Sequence, residues 1–314
     1  MDIILIVVGL ALILAGANYL TDGSAALAKR FSIPEFVIGL TVVAVGTSTP
    51  ELVVSAMSAI KGNTDMAIGN IVGSNIFNTL AILGICGIFV PIALTRNNMR
   101  RDIPIGILVS AILMLVCFGG VIQRQFGVVM ILIYIALMYY SISRGRRSIK
   151  AEKVETTDNE EHIKDMPLWL ALVMVVGGLA ALVFGGDKFL EGAVNTARHF
   201  GIPNNVIAIT LLAGGTSLPE LASSIVSLIK GKADIALGNI IGSNIANILL
   251  ILGISSAITP LSMGTVNISD IAIVVASSCM IYLAGFTFGK REIGRGESAV
   301  LLACYVGYIW WIIA

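Results

Sequence analysis

Charge is scarce in this chain, at 12% of 314 residues, and that scarcity excludes an ordinary soluble domain, where about a quarter of residues are charged. Histidine is rarer still, with His162 and His199 alone, both in polar segments where they read as surface residues. The four cysteines, Cys86, Cys117, Cys279 and Cys304, lie in apolar runs without ligand-like spacing. Neither a soft-metal cluster nor a disulfide framework is expected, and the cysteines read as small core hydrophobes. A net charge of +1 offers no basic excess for a nucleic-acid partner.

Hydrocarbon takes the place of charge. The chain is 57% hydrophobic, with a mean hydropathy of +0.94, which marks an integral membrane protein. A membrane-spanning helix needs roughly 20 mostly apolar residues. The sequence divides into ten such stretches, near 3 to 20, 34 to 60, 66 to 90, 103 to 121, 126 to 143, 167 to 186, 203 to 229, 235 to 259, 268 to 288 and 298 to 314. The opening MDIILIVVGLALILAGANYL has no basic n-region and a matching internal segment later, so it reads as a retained span, not a secretory signal.

If the ten spans alternate sides, sixteen of the 20 Lys and Arg fall on one side and only Lys61, Arg124, Lys188 and Arg198 on the other. The positive-inside rule then predicts a multi-pass protein of the plasma (inner) membrane with both termini outside the cytoplasm.

Residues Gly39 to Gly84 match Ala208 to Gly253 without a gap, with about 27 of the 46 positions identical. The match continues outward: Gly9, Gly16 and Gly23 fall on Gly178, Gly185 and Gly192, an offset of 169 throughout. Each half therefore carries five spans, 1–143 and 167–314, joined by a charged linker, 144–166. Five is odd, so the second copy enters the membrane from the opposite side. The expected fold is all-α, two inverted five-helix repeats with discontinuous helices at the midplane, the arrangement in which secondary transporters place their substrate site.

Only two acidic residues fall deep within spans, Glu51 in GTSTPELVVS and Glu220 in GTSLPELASS, and they occupy equivalent places. Ionisable groups at that depth cost about 2.5–3.5 kcal/mol on an insertion scale and mark function. Ser48 to Glu51 and Ser217 to Glu220 also have capping-box spacing. A cap alone does not explain a helix start in mid-membrane, where bare backbone is tolerated only in protein or beside a cavity.

The break is expected to free carbonyls around Ala44, Gly46 and Thr47, and around Ala213, Gly215 and Thr216, with the glycines supplying unusual backbone angles. With the hydroxyls of Thr47, Ser48, Thr216 and Ser217, the two carboxylates make an all-oxygen environment suited to hard cations. The next spans read GNIVGSNIFN and GNIIGSNIAN. At helical spacing Asn70, Ser74 and Asn78 share a stripe, as do Asn239, Ser243 and Asn247. Ser74, Asn78, Ser243 and Asn247 are assigned to the site, and the G-x-x-x-G glycines to packing. Asp65 and Asp234 read as N-caps.

These motifs resemble the two alpha-repeats of the cation/calcium antiporter superfamily, in particular the prokaryotic sodium/calcium exchangers. The resemblance implies alternating-access antiport of Ca2+ for Na+, ions carried as substrates, with no cofactor and no protein partner beyond the lipid bilayer. It implies calcium ligation by Glu51, Glu220 and the carbonyls of Thr47 and Thr216. Sodium sites would add Ala44, Ser48, Ser74, Ala213, Ser217 and Ser243, with Asn78 and Asn247 at the centre. Asn at 247, where some members carry Asp, argues against potassium co-transport. Three sodium ions per calcium would make exchange electrogenic. A proton/calcium antiporter is the nearest alternative, and a cation channel is disfavoured by the inverted repeat. An enzyme is not expected, because Ser48 and Ser217 have no nearby base. The spans near 3 to 20 and 167 to 186, which carry Gly16, Gly23, Gly185 and Gly192, are the expected moving pair.

Overall fold

The computed structural model describes residues 2–155, 166–201, 213–287 and 291–313. The linker from 156 to 165, His162 and the first part of the span expected over 203–229 lie outside the described residues.

The architecture is helical, as the hydropathy requires. Helix α1 spans Asp2–Phe31, α2 Glu35–Thr47, α3 Thr49–Ile60 and α4 Thr64–Phe89. Then come α5, Ile103–Cys117, and α6, Arg124–Glu155. The second half repeats the order: α7 is Leu168–His199, α8 Leu218–Ile229, α9 Ala233–Ile258, α10 Ile268–Ala284 and α11 Arg295–Ile313. Among the described residues, α1, α4, α7, α9 and the Arg124–Arg147 part of α6 are each long and apolar enough to cross a membrane. Together α2 and α3 form a broken span, bent by 48°. Helix α6 runs on to Glu155, so the first part of the charged linker continues a helix.

Polarity is distributed inside out. Ile3, Leu115, Phe118, Leu132, Trp169 and Val176 are exposed on the outer surface, while Ser48, Glu51, Asn78, Ser217, Glu220 and Asn247 are buried. A lipid-facing exterior and a polar interior are what a membrane solvent selects, since polar groups there must find partners within the protein.

Two short antiparallel ribbons, absent from the sequence reading, set the topology. Strand β1 (Ile92–Ala93) pairs with β4 (Glu292–Ile293), and β2 (Val121–Ile122) pairs with β3 (Leu261–Ser262). The second ribbon and a hydrogen bond from the Ser262 N–H to Thr64 Oγ1 (3.2 Å) bring the start of α4 beside the end of α9. At the opposite face the Lys232–Glu35 ion pair, 2.7 Å, joins the start of α9 to that of α2. A cavity of about 560 Å³ there is lined by Glu35, Thr95, Arg101, Arg144 and Asp234, which places the segment after α4 on the same face. Equivalent helices thus run in opposite directions, as an odd-span repeat demands.

Helices α1 and α7 pack along their length through glycines. A Cβ on Gly16 would stand 2.7 Å from the Gly178 carbonyl oxygen, and one on Gly9 would stand 2.8 Å from that of Gly185. Backbone meets backbone along this seam, the close approach that small residues permit between membrane helices. All four cysteines are free thiols.

Candidate functional site

The break in each half falls where proline removes a backbone donor. Ser48 (φ −80°, ψ 11°) separates α2 from α3, with Pro50 in the first turn of α3; Ser217 (φ −90°, ψ 10°) precedes Pro219 in α8 in the same way. Proline is tolerated there because its missing N–H would have had no helical partner.

The capping-box spacing does not produce capping boxes. Neither Ser48 nor Ser217 caps its own helix. Instead Ser48 Oγ donates to Glu220 Oε1 at 2.8 Å, and Ser217 Oγ donates to Glu51 Oε1 at 2.9 Å. Each break thus holds the carboxylate of the other repeat. Both glutamates are 0% exposed, and Oε2 of each has no hydrogen-bond partner among the described residues.

The glycines beside the breaks act differently from expectation too. Gly46 and Gly215 do not adopt positive φ. They are small because α7 crosses over them: a Cβ on Gly46 would meet Leu179 at 2.4 Å, and one on Gly215 would meet Leu190 at 2.7 Å. The Ala44 carbonyl, expected to be free, accepts the Ser48 N–H at 3.0 Å and the Thr47 hydroxyl at 3.3 Å. Ala213 opens the short helical turn Ala213–Gly215.

Helices α4 and α9 supply the remaining polar groups. Ser74, Asn78, Ser243 and Asn247 are all buried. Ser74 Oγ and both polar atoms of the Asn78 amide lack partners among the described residues, as does Asn247 Oδ1. Ser243 Oγ lies 3.5 Å from Glu220 Oε1, and Asn247 Nδ2 donates to Asn75 Oδ1 at 3.3 Å. Thr216 Oγ1 is likewise buried and unpaired. Each central asparagine sits in a π-helical segment, Phe77–Ile82 or Ala246–Ile251, a widened turn that recurs at functional sites.

Several residues central to this geometry were not assigned to it from sequence. Asn70 Nδ2 donates to the Glu51 carbonyl (3.3 Å) and to Ser55 Oγ (2.9 Å), tying α4 to α3. Asn239 repeats both bonds, to the Glu220 carbonyl (3.4 Å) and Ser224 Oγ (3.1 Å), and also accepts the Thr47 hydroxyl at 3.1 Å. Asn244 donates to Thr79 Oγ1 at 2.8 Å across the repeats. The strict repetition of Asn70 and Asn75 at Asn239 and Asn244 was the available signal. Asp65 and Asp234 are not the N-caps the sequence suggested; Asn63 and Lys232 hold those positions, and the aspartates sit two residues on, in the first turn, where an anion still favours the helix dipole. Of the glycines assigned to packing, Gly238 and Gly242 press on the backbone of Phe36 and Leu40, whereas a Cβ on Gly69 would meet only Val266, at 3.6 Å, and one on Gly73 nothing within 4 Å.

What this cluster can do follows from its atoms. Among the described residues no group of three or more His, Cys, Asp and Glu is arranged to hold a metal ion, whereas unpaired oxygens of the two carboxylates, of the Asn78 and Asn247 amides and of the Ser74 and Thr216 hydroxyls are buried on the elements at and beside the breaks. An unpaired buried oxygen is costly unless something binds it, and an all-oxygen shell with two carboxylates selects a hard cation. Beside the second break lies a cavity of about 350 Å³ lined by Thr49, Pro50, Val54, Asp187, Leu190, Thr216 and Pro219.

A family model described as sodium/calcium exchanger protein matches residues 1–143 and 170–314. The chain is similar to a putative antiporter, CaxA, of Alkalimonas amylolytica, at 36% identity over 310 residues, 97% of this chain and 96% of the relative. It is 30% identical over 350 residues to the sodium/calcium exchanger MaX1 of Methanosarcina acetivorans, covering 98% of this chain and 97% of that one. A solved structure of the sodium-calcium exchanger NCX_Mj, soaked with zero Na+ and Ca2+, superimposes with a TM-score of 0.85 at 30% identity, over 99% of this chain and 98% of that one.

Proposed function

The chain belongs to the sodium/calcium exchanger family, and on that premise we propose that it exchanges Ca2+ for Na+ by alternating access at the site between its two broken helices. The observation that carries this reading is the reciprocal pair: Glu51 held by Ser217 and Glu220 held by Ser48, each with one carboxylate oxygen unpaired. Calcium is ligated by both carboxylates and the carbonyls of Thr47 and Thr216. Sodium ions occupy overlapping positions that draw on Ala44, Ser48, Ser74, Ala213, Ser217 and Ser243, with the amides of Asn78 and Asn247 at the centre. Sharing the glutamates makes the two cations compete, which is the coupling an antiporter needs.

The charges set the energetics. Two carboxylates balance one Ca2+ or two Na+, so a site loaded with three Na+ carries one net positive charge. Moving that charge is worth about 2.3 kcal/mol per 100 mV, and exchange is then electrogenic. The protein resides in the plasma (inner) membrane with both termini outside, and residues 1–143 and 167–314 act as the two inverted halves around a cytoplasmic linker.

The test is calcium uptake into proteoliposomes under an outward sodium gradient, compared with an outward proton gradient in sodium-free medium. Sodium-driven, saturable uptake supports the proposal. Uptake driven by protons alone assigns a proton/calcium antiporter instead, and non-saturating flux without a counter-ion assigns a channel.

A further inference from the structure

The two faces of the molecule are built alike but joined differently. On one face Lys230, just after α8, reaches α1: its Nζ lies 2.6 Å from Asp22 Oδ1 and 3.1 Å from the Asn18 carbonyl oxygen. One turn deeper the hydroxyls of Thr21 and Ser227 meet at 3.0 Å, fully buried, and α1 packs along α8. The offset of 169 carries Lys230 onto Lys61, Asp22 onto Glu191, Asn18 onto Asp187 and Ser227 onto Ser58. The repeat has thus preserved a lysine after α3 and an acid on α7, and has added a second acid where α1 has Asn18.

In this structure the second set is apart. The Lys61 ammonium has no ion pair or hydrogen bond among the described residues, its backbone N–H alone bonding to the Met57 carbonyl at 3.0 Å, and α7 makes almost no contact with α3. Glu191 and Asp187 are held by the neighbouring Lys188 at 2.8 and 3.4 Å, all three well exposed. The cavity of about 350 Å³ that reaches Thr216 lies between α3 and α7, at the place equivalent to the closed α1–α8 contact.

We propose that Lys230 with Asp22, and Lys61 with Glu191 and Asp187, are alternating latches that close opposite faces of the exchanger on the α1–α7 pair. The first is engaged here, and the second forms when the pair moves and the cavity beside Thr216 shuts. Each transition breaks one lysine–carboxylate contact and makes its equivalent, so neither end state is left deep. A carrier needs this, because ions differing little in affinity for the two states can shift only a nearly balanced equilibrium. Lys188 competes with Lys61 for the same acids and so favours the arrangement seen here.

The inference rests on the alternating access proposed above, but its test reads access without ion flux. Val54 lines the open cavity, and Ser223, its equivalent by the offset of 169, is buried on the closed side at 1% exposure. Each is changed to Cys in a Cys279→Ala, Cys304→Ala background, and the full-length protein in detergent micelles is labelled with a charged maleimide. The ratio of labelling rates at 223 and 54 reports the balance of the two states. For half-exposed ion pairs the expected change is about two- to five-fold. Lys230→Gln raises the ratio, Lys61→Gln lowers it, and Lys188→Gln raises it, while the exchange Asp22→Lys with Lys230→Asp returns it to the parent value. Shifts of the same sign for Lys230→Gln and Lys61→Gln, or a shift for one without the other, overturn the alternating pair. A ratio that the charge exchange fails to restore overturns the ionic basis. Loss of sodium-driven uptake with these opposite shifts intact would count against the ion assignment and leave the latches standing.

Discussion

Gly16 is where a single methyl group tests the packing of the α1–α7 seam. A Cβ there would lie 2.7 Å from the Gly178 carbonyl oxygen, 2.8 Å from the Leu182 nitrogen and 3.1 Å from the Ala181 Cβ. Two of the three neighbours are backbone, so relief requires the helices to part by several tenths of an ångström. Overpacking of this kind costs about 1–3 kcal/mol. Replacing glycine by alanine inside a helix returns about 0.5–1 kcal/mol, which leaves Gly16→Ala destabilised by up to about 2.5 kcal/mol and about 1–3 kcal/mol less stable than an alanine that meets no neighbour. Gly177 provides the control within the same pair of helices, since a Cβ on it meets nothing within 4 Å and the residue is exposed. Gly177→Ala is expected to match or slightly exceed the parent. The assay is thermal inactivation of the purified full-length protein in micelles, followed by loss of monodisperse material. If Gly16→Ala proved as stable as Gly177→Ala, the backbone-to-backbone seam, and with it the treatment of α1 and α7 as one moving body, would be refuted.

Asn239→Ala removes three hydrogen bonds and Asn70→Ala two. At about 1 kcal/mol for each bond, Asn239→Ala is the more destabilising by about 1 kcal/mol in the same thermal assay; equal losses would show that the Thr47 contact contributes nothing. Calcium uptake under a potassium diffusion potential tests the charge count: with one net charge moved per cycle, a 100 mV change, about 2.3 kcal/mol, shifts the equilibrium calcium ratio about 50-fold, whereas electroneutral exchange leaves it fixed. Cross-linking α1 to α4 through an introduced cysteine pair is expected to stop flux, and unimpaired flux in the cross-linked protein would contradict sliding of the α1–α7 pair.

Much of the fold could be read from the chain because the repeat acts as an internal ruler. The offset of 169 made Glu51 and Glu220 equivalent, and the odd number of expected spans in each half implied their inversion, which the opposed directions of α4 and α9 display. Local patterns misled where the real partner lies far away in sequence. Ser48 has capping spacing to Glu51, yet its hydroxyl binds Glu220, 172 residues on. Gly46 looked like a conformational device, but its size answers to Leu179 on a different helix. Ribbons of two residues within apolar sequence leave no alternation to detect, and the π turns at Asn78 and Asn247 change no residue type. Asn70 and Asn239 were visible as part of a stripe, but that they brace α3 and α8 depends on how the helices cross.

Sodium-dependent calcium uptake by Glu51→Gln and Glu220→Gln in proteoliposomes tests the central claim most directly. Glutamine keeps the size and one acceptor oxygen of each side chain, and removes the charge that a divalent ion requires together with the second oxygen, which becomes an amide nitrogen. Loss of one partner from a buried charge pair is worth about 3–5 kcal/mol, so each variant is expected to lose calcium uptake by about 100-fold or more while remaining folded and monodisperse. Normal exchange by both variants would contradict the account.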